Sequence, residues 1–295
     1  MRTKLPQLTI QQLEYLAAVS IEDTWAAAAK RLQVTPSALS QGLAELERRL
    51  GVTLFERVGR RRVLTDDAQQ VVQYAQRVLA QTTDLARWAE ELGAGATGSL
   101  RIGMIDVAAV AHFPRTLQSF IAEHPDLNLS LTVASSAQLV DAVLDGELAF
   151  ALVVKPAKSI VDCHLTEVLA EDLAIYAPGG TTRRDPATWG PWVLFPEISH
   201  TRQLVARALQ ARGAPVQVTA VSNQPDVLRE MVQLGLGWTV LPVVQAEEGP
   251  NPLRRAQAKP LLQRHLVIAQ RADAIPNPAS DNLIAALLDA AKTTL

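Results

Sequence analysis

The sequence predicts a mixed α + α/β protein in three parts: a small helical head ending in a basic strand-turn-strand, one long helix, and an alternating α/β body. Three observations carry that reading. Between Thr24 and Arg62, two short helical patterns flank a tight turn and lead into an arginine-rich hairpin. From Asp66 to Leu92 neither proline nor glycine interrupts an apolar seam. Beyond Ser99, β-rich and helix-period segments alternate to the end of the chain, a pattern that argues for a parallel α/β sheet.

Composition bounds the problem. At 295 residues, 48% hydrophobic and 20% charged, the chain is an ordinary globular one, long enough for two or three domains. Its net charge of −2 hides an asymmetry: residues 1–65 hold ten basic and six acidic side chains, and the remaining 18 basic face 24 acidic ones. A basic head on an acidic body is expected to meet a polyanion through the head alone. Cys163 is the only cysteine, so no internal disulfide can form and a reducing cytosol is expected. The stretch MRTKLPQLTIQQLEYL lacks the apolar run of a signal peptide, and no segment approaches a membrane span. A cytoplasmic protein with no membrane partner is expected.

In the head, Thr9 can cap a first helix carrying Leu13, Leu16 and Ala17 at helical spacing. A second helix over Thr24–Leu32 presents Ala28, Ala29 and Leu32, small enough on one face for another helix to approach. Thr35 then caps a third helix with Pro36 at its first position, and Gly51 stops it. Leu39, Leu43, Leu46 and Leu50 form its buried stripe. The opposite face carries Ser37, Ser40, Gln41, Ala44 and Arg48. Taken alone, that helix is explained more simply by a solvated polar face. The hairpin following it changes the balance, because Arg57, Arg60, Arg61 and Arg62 flank the turn at Gly59 where a wing would meet phosphates. A recognition helix reads base edges with its N-terminal residues. The candidate DNA contacts are therefore Thr35 and Pro36 at the helix start, Ser37, Ser40 and Gln41 on bases, and Arg48, Arg57, Arg60 and Arg61 on phosphates.

Residues AAKRLQVTPSALS (28–40), LERRLGVTLFER (46–57) and VLT (63–65) resemble the LysR-type family of bacterial transcriptional regulators. The resemblance continues through LRIG (100–103), HPDLNLSL (124–131) and LGLGWTVLP (234–242). It implies a winged helix-turn-helix DNA-binding domain at 1–65, a linker and dimerisation helix at 66–92, a hinge at 93–98 and an effector-binding domain at 99–295. It further implies a periplasmic-binding-protein-like body. Its lobe I would span about 99–168 and 268–295, its lobe II about 169–267, with crossovers near 166–172 and 262–268. A homotetramer built from two dimers is also implied. Four places, six residues in all, depart from the family pattern. Gly42 stands mid-helix where a longer polar residue is usual, at about 1 kcal/mol of helix propensity. Asp67-Ala68 replaces the usual Ala-Gly, Asp106-Val107 replaces a segment often holding Ser or Thr, and Ala149 replaces an aspartate.

The seam of the long helix, from Ala68 through Val71, Val72, Ala75, Val78, Leu79, Leu85 and Leu92, wants a partner helix. Packing on its own domain is one answer; lying between two domains, it is expected to pair with its copy in a second subunit. Gly93, Gly95 and Gly98 match the spacing of a dinucleotide fingerprint. The context rejects that function, because a helix precedes the glycines and a strand follows them, the reverse of what a pyrophosphate site requires.

In the body, ligands are expected at the carboxyl ends of strands, against helix N-termini. The candidate effector contacts are Ile105, Asp106 and Val107 after the first strand, Ser135 and Ser136 at a helix start, and His200, Thr201 and Arg202 at another. Gln224, Trp238 and Thr239 would face the last group. Helix capping accounts for the serines equally well. Asp106 would repel a carboxylate unless Arg202 or His200 offsets it, which favours a cationic or amino-acid-like effector.

No catalytic or metal site is expected. His112, His124, His164, His200 and His265 are scattered without zinc-ligand spacing, and neither a nucleophile elbow nor a phosphate loop is present. No cofactor is called for. The expected function is a regulator that binds double-stranded DNA as a homodimer or homotetramer and responds to a small-molecule effector between two lobes. The alternative is a constitutive DNA-binding, oligomerising protein without an effector.

Overall fold

A computed structural model describes residues 7–59, 61–93, 98–248 and 251–293. The chain forms two compact units, residues 1–90 with 144–147, and residues 91–143 with 148–295.

The first unit is built on helix starts that the sequence spells out. Helix α1 (Ile10–Ile21) begins in a capping box between Thr9 and Gln12. Helix α2 (Trp25–Arg31) is capped by Thr24, and α3 (Pro36–Leu50) by Thr35, whose Oγ1 accepts the Ala38 N–H at 3.1 Å. Gly51 ends α3 at φ 70°. The core gathers Leu13 and Leu16 of α1, Ala28 and Ala29 of α2, and Leu39, Leu43 and Leu46 of α3. Strands β1 (Phe55–Val58) and β2 (Arg61–Leu64) pair antiparallel with Val58 opposite Arg61, and Gly59 turns between them at φ 65°. Glu47 of α3 anchors this hairpin by accepting the Leu54 and Phe55 N–H groups at 2.8 and 3.2 Å. Helix α4 (Asp66–Gly93) starts where Thr65 accepts the Ala68 N–H. Its Ala68, Val72 and Ala75 are buried in the head's own core. That stretch of the seam is satisfied within the chain, whereas Leu85 farther along is 56% exposed. Residues 94–97 of the expected hinge lie outside the described residues.

The second unit has two lobes. The first contains β3 (Ser99–Met104), a π-helical turn at Ala108–His112, α5 (Pro114–Glu123), β4 (Asn128–Val133), α6 (Ser136–Leu144) and β5 (Phe150–Val154). Strand β6 (Cys163–Tyr176) then runs into the second lobe, which holds β7 (Trp192–Leu194), α7 (His200–Gln210), β8 (Val218–Val221), α8 (Pro225–Gln233), β9 (Thr239–Pro242) and α9 (Val243–Glu247). Strand β10 (Leu262–Arg271) returns to the first lobe, where α10 (Pro278–Thr293) packs against α5.

The main sheet has the order β4-β3-β5-β10-β6-β9, and β7 pairs with β8 in a second, parallel sheet. The expectation of a parallel sheet holds only in part. Only β4-β3-β5 is parallel in the main sheet, and β10 and β6 run antiparallel to each other and to their outer neighbours. The cause is the double crossover: one strand leaves the first lobe, another comes back, and the two pair side by side. Their register runs from Leu262 opposite Leu173 to Arg271 opposite Cys163, shifting between Leu266 and Val267. Among the described residues no helix is long and apolar enough to cross a membrane.

Candidate DNA interface and effector cleft

On α3, Ser37, Gln41, Ala44 and Arg48 are exposed and Ser40 is half-buried, opposite the buried leucine stripe. Thr35 spends its hydroxyl oxygen on the cap, and Pro36 is exposed at the first turn. This helix start presents unpaired N–H groups and a positive dipole end on a polar surface. Arg48 is less available than its spacing suggests. Its Nε donates to Glu45 at 2.7 Å, and the same carboxylate also takes Arg49 at 2.5 Å. The two arginine hydrogen bonds hold the Glu45 carboxyl down at about 2. Arg57 is exposed on β1. Arg60 lies outside the described residues, and of Arg61 only the backbone is described.

Two residues complete this surface: Arg62, expected in the wing but not among the named contacts, and Trp25, which the sequence did not suggest. Arg62 donates to Ser40 Oγ at 3.4 Å, and its guanidinium carbon lies 5.0 Å from the centre of the Trp25 ring. Trp25 in turn meets Phe55 edge-on at 4.9 Å. Strand alternation could have shown this, because Arg62 shares a face of the hairpin with Phe55 and not with its sequence neighbours.

The predicted effector residues scatter more widely. Ile105 and Val107 are buried beside the end of β3 and offer apolar support. Asp106 is half-buried and accepts a hydrogen bond from Gln245 of α9, so it reaches across to the second lobe. Burial raises its pKa against the Gln245 hydrogen bond. Ser135 exchanges hydrogen bonds with Gln138 as a helix cap. Ser136 is buried, and its hydroxyl accepts the Val154 N–H at 3.1 Å, a structural task that removes it from a ligand-facing role.

At the start of α7, His200 Nδ1 and one Arg202 terminal nitrogen are buried without a hydrogen-bond partner. Burial lowers the pKa of Arg202. Thr201, between them, is buried and accepts from Arg264 at 2.5 Å. Gln224 is exposed before α8. Trp238, expected at the cleft, instead packs against Trp189 and Trp192 in the core of the second lobe. Its flanking sequence is apolar and its ring too large to leave uncovered, so burial wins. Thr239 is fully buried in β9, its hydroxyl without a partner.

Arg264, in β10, connects Thr201 to a network that sequence reading missed. Its Nε donates to Glu171 of β6 at 2.7 Å, and the other Glu171 oxygen lies 2.9 Å from His112 Nε2 in the π-helical turn. All four side chains are nearly inaccessible to water. Burial pushes the Glu171 carboxyl up, and Arg264 and His112 more than reverse it, leaving it below the usual range. His112 also lines an interlobe cleft of about 560 Å³, with Arg115 on the first lobe and Asp226, Arg229, Gln245 and Glu248 on the second. Opposite charges thus face each other across a cavity of ligand-binding size. Among the described residues no group of His, Cys, Asp and Glu could hold a metal ion. The Cys163 thiol is half-buried, which pushes its pKa up.

A winged helix-turn-helix followed by a two-lobed α/β domain defines a class, the one-component regulator that couples DNA binding to a sensing body. Residues 10–69 match the family described as "Bacterial regulatory helix-turn-helix protein, lysR family", and residues 93–292 match "LysR substrate binding domain". The chain belongs to the LysR family of transcriptional regulators, and its second unit is an effector-binding domain. It is 30% identical over 234 residues to the transcriptional activator IlvY of Salmonella typhimurium, covering 77% of this chain and 79% of that one. A full-length OxyR variant from Pseudomonas aeruginosa superposes with a TM-score of 0.59 at 24% identity, covering 97% of this chain and 95% of that chain. Full-length CbnR in complex with its target DNA gives 0.58 at 19% identity, covering 98% and 100%. These two likenesses show the fold.

Proposed function

We propose that this chain works in the cytoplasm as a homodimer or tetramer without enzymatic activity, binding an inverted repeat in promoter DNA under the control of a small molecule. The polar Ser37-Ser40-Gln41 face of α3, set beside the arginine hairpin, is the observation that carries the DNA half of this reading. One α3 from each of two chains would enter successive major grooves, with Arg57, Arg60 and Arg61 neutralising phosphates. Arg48 would first have to share Glu45. The exposed stretch of α4 around Leu85 supports pairing with the same helix of a second copy.

The effector is a molecule carrying opposite charges, of the amino-acid class, held between the lobes. The unpartnered nitrogens of His200 and Arg202 suit its anionic end, and Asp106, Asp226 and Glu248 its cationic end. The buried chain Thr201-Arg264-Glu171-His112 joins the α7 start to both crossover strands and to the first lobe, so occupancy there would bias lobe orientation. The 93–98 segment would pass that change to the heads.

Quantitative footprinting on the chain's own upstream region tests the DNA half. Gln41→Ala should relax the preference at one base position at a cost of roughly 1–3 kcal/mol. Unaltered base preferences would remove Gln41 from the interface, and no binding by the unmodified chain at low salt would sink the reading altogether.

A further inference from the structure

We infer that Arg62 is a specificity residue of the DNA interface, held by Trp25 against Ser40 so that its guanidinium reads a guanine edge beside α3, and is not one more phosphate clamp of the wing. The inference rests on α3 being the reading helix and extends it to a residue on another element.

Four observations carry it. First, the hairpin register sets Arg57 directly opposite Arg62, with Phe55 opposite Leu64 two positions along on the same face. Phe55 touches Trp25, so this face is the one turned toward the helices. Second, like charges directly opposite on a hairpin repel, and the Trp25 ring gives one of the pair a place to rest. The guanidinium lies 5.0 Å from that ring centre, within cation–π range. Third, Arg62 has no carboxylate partner among the described residues, whereas Arg31, Arg48 and Arg49 are each paired with a glutamate. Its charge is uncompensated and its place is fixed by an aromatic shelf. Fourth, its contact on α3 is Ser40, in the N-terminal half of the helix that would carry base readout.

The chemistry then points to one base. Ser40 Oγ accepts from Arg62 and keeps its own O–H to donate, and the arginine fork retains further N–H donors. The arginine fork and the Ser40 O–H form a donor-rich set, which matches the O6 and N7 acceptors that guanine alone presents together in the major groove. The same set would find an adenine N6 amino group unfavourable, since donor would face donor.

Base readers and phosphate clamps leave different signatures in binding. Removing a clamp weakens all sequences alike and lowers the salt slope by about 1, whereas removing a reader erases discrimination at one position. The test uses the full chain, a randomised duplex library to find the preferred site, and then affinities for that site, its single-base variants and a non-specific duplex across a sodium chloride series. Arg62→Ala and Trp25→Leu should each cut discrimination at a single G·C pair by roughly tenfold, with the non-specific affinity and salt slope unchanged. Arg62→Lys, which keeps the charge and loses the fork, should behave like Arg62→Ala. Arg57→Ala should show the clamp signature.

A uniform loss of affinity with a reduced slope in Arg62→Ala would overturn the inference. So would full discrimination in Trp25→Leu, provided its unfolding midpoint is preserved; if it is not, Trp25→Met, which also removes the ring, replaces it under the same criterion. Should Gln41→Ala shift a base preference while Arg62→Ala shifts none, only the role of Arg62 falls. Should both leave every preference intact, the reading surface on α3 falls with it.

Discussion

An alanine at Gly42 would place its Cβ 2.7 Å from two carbons of the Tyr15 ring. Tyr15 is buried on α1, so the ring has little room to give. The glycine that weakens α3 on propensity grounds is therefore what lets α1 and α3 approach. Removing it gains about 1 kcal/mol of helix propensity and introduces overpacking that costs about 1–3 kcal/mol. Gly42→Ala should be net destabilising, lowering the denaturant midpoint without altering the slope of the transition; a rise in the midpoint would show that Tyr15 moves aside. At this scale the sequence was informative wherever the deciding forces were local. Thr9, Thr35, Pro36 and Gly51 each act on the backbone within a turn of themselves, and each sits where its chemistry places it. Gly42 was legible as a departure, but its reason was not, because Tyr15 lies on another helix.

Between elements, Glu171 ties β6 to β10 and to the π-helical turn through Arg264 and His112. Truncating it would leave the Arg264 charge buried without its carboxylate partner. Glu171→Ala should therefore cost about 3–5 kcal/mol of unfolding free energy. The pH dependence has a definite sign. The folded-state pKa of Glu171 lies below its unfolded value, so its stabilising contribution is full above the ordinary carboxylate range and drains away as pH falls through the lowered value. Glu171→Gln should flatten that acid limb in a series of urea titrations, and an unchanged limb would mean the carboxylate is not the group responsible.

The same elements show where sequence reading stops. Strand β6 sets polar residues in adjacent pairs, Thr166-Glu167 and Glu171-Asp172, so no two-residue period marks it and the sequence implies only a crossover there; it is strand because β10 lies beside it. The network was illegible for a similar reason. His112, Glu171, Thr201 and Arg264 come from four elements, and nothing near any of them in the chain announces the others. The face of α3 was readable because one helical period gathers it, while Arg62 and Trp25 joined it only through hairpin alternation and a contact with Phe55.

For the whole molecule, the decisive quantity is how charge is distributed. The ten basic residues among the first 65, set against an acidic remainder, confine attraction for DNA to the heads. If two heads each engage Arg57, Arg60 and Arg61, about six phosphates are neutralised, and log K should fall with log[NaCl] at a slope near −5. Fluorescence anisotropy on a non-specific duplex measures this, and a slope near −3 would indicate a single engaged head.

The paired crossover strands carry a mechanical consequence. Because β6 is laddered to β10 from Cys163 to Leu173, the two crossovers form one ribbon, and sliding one strand along the other would break a row of backbone bonds at once. What such a ribbon tolerates is bending and twisting as a unit, with the register slip between Leu266 and Val267 as its irregular point. A molecule seated between the lobes would thus be felt by both connections together, as one change in the bend and twist of a shared ribbon.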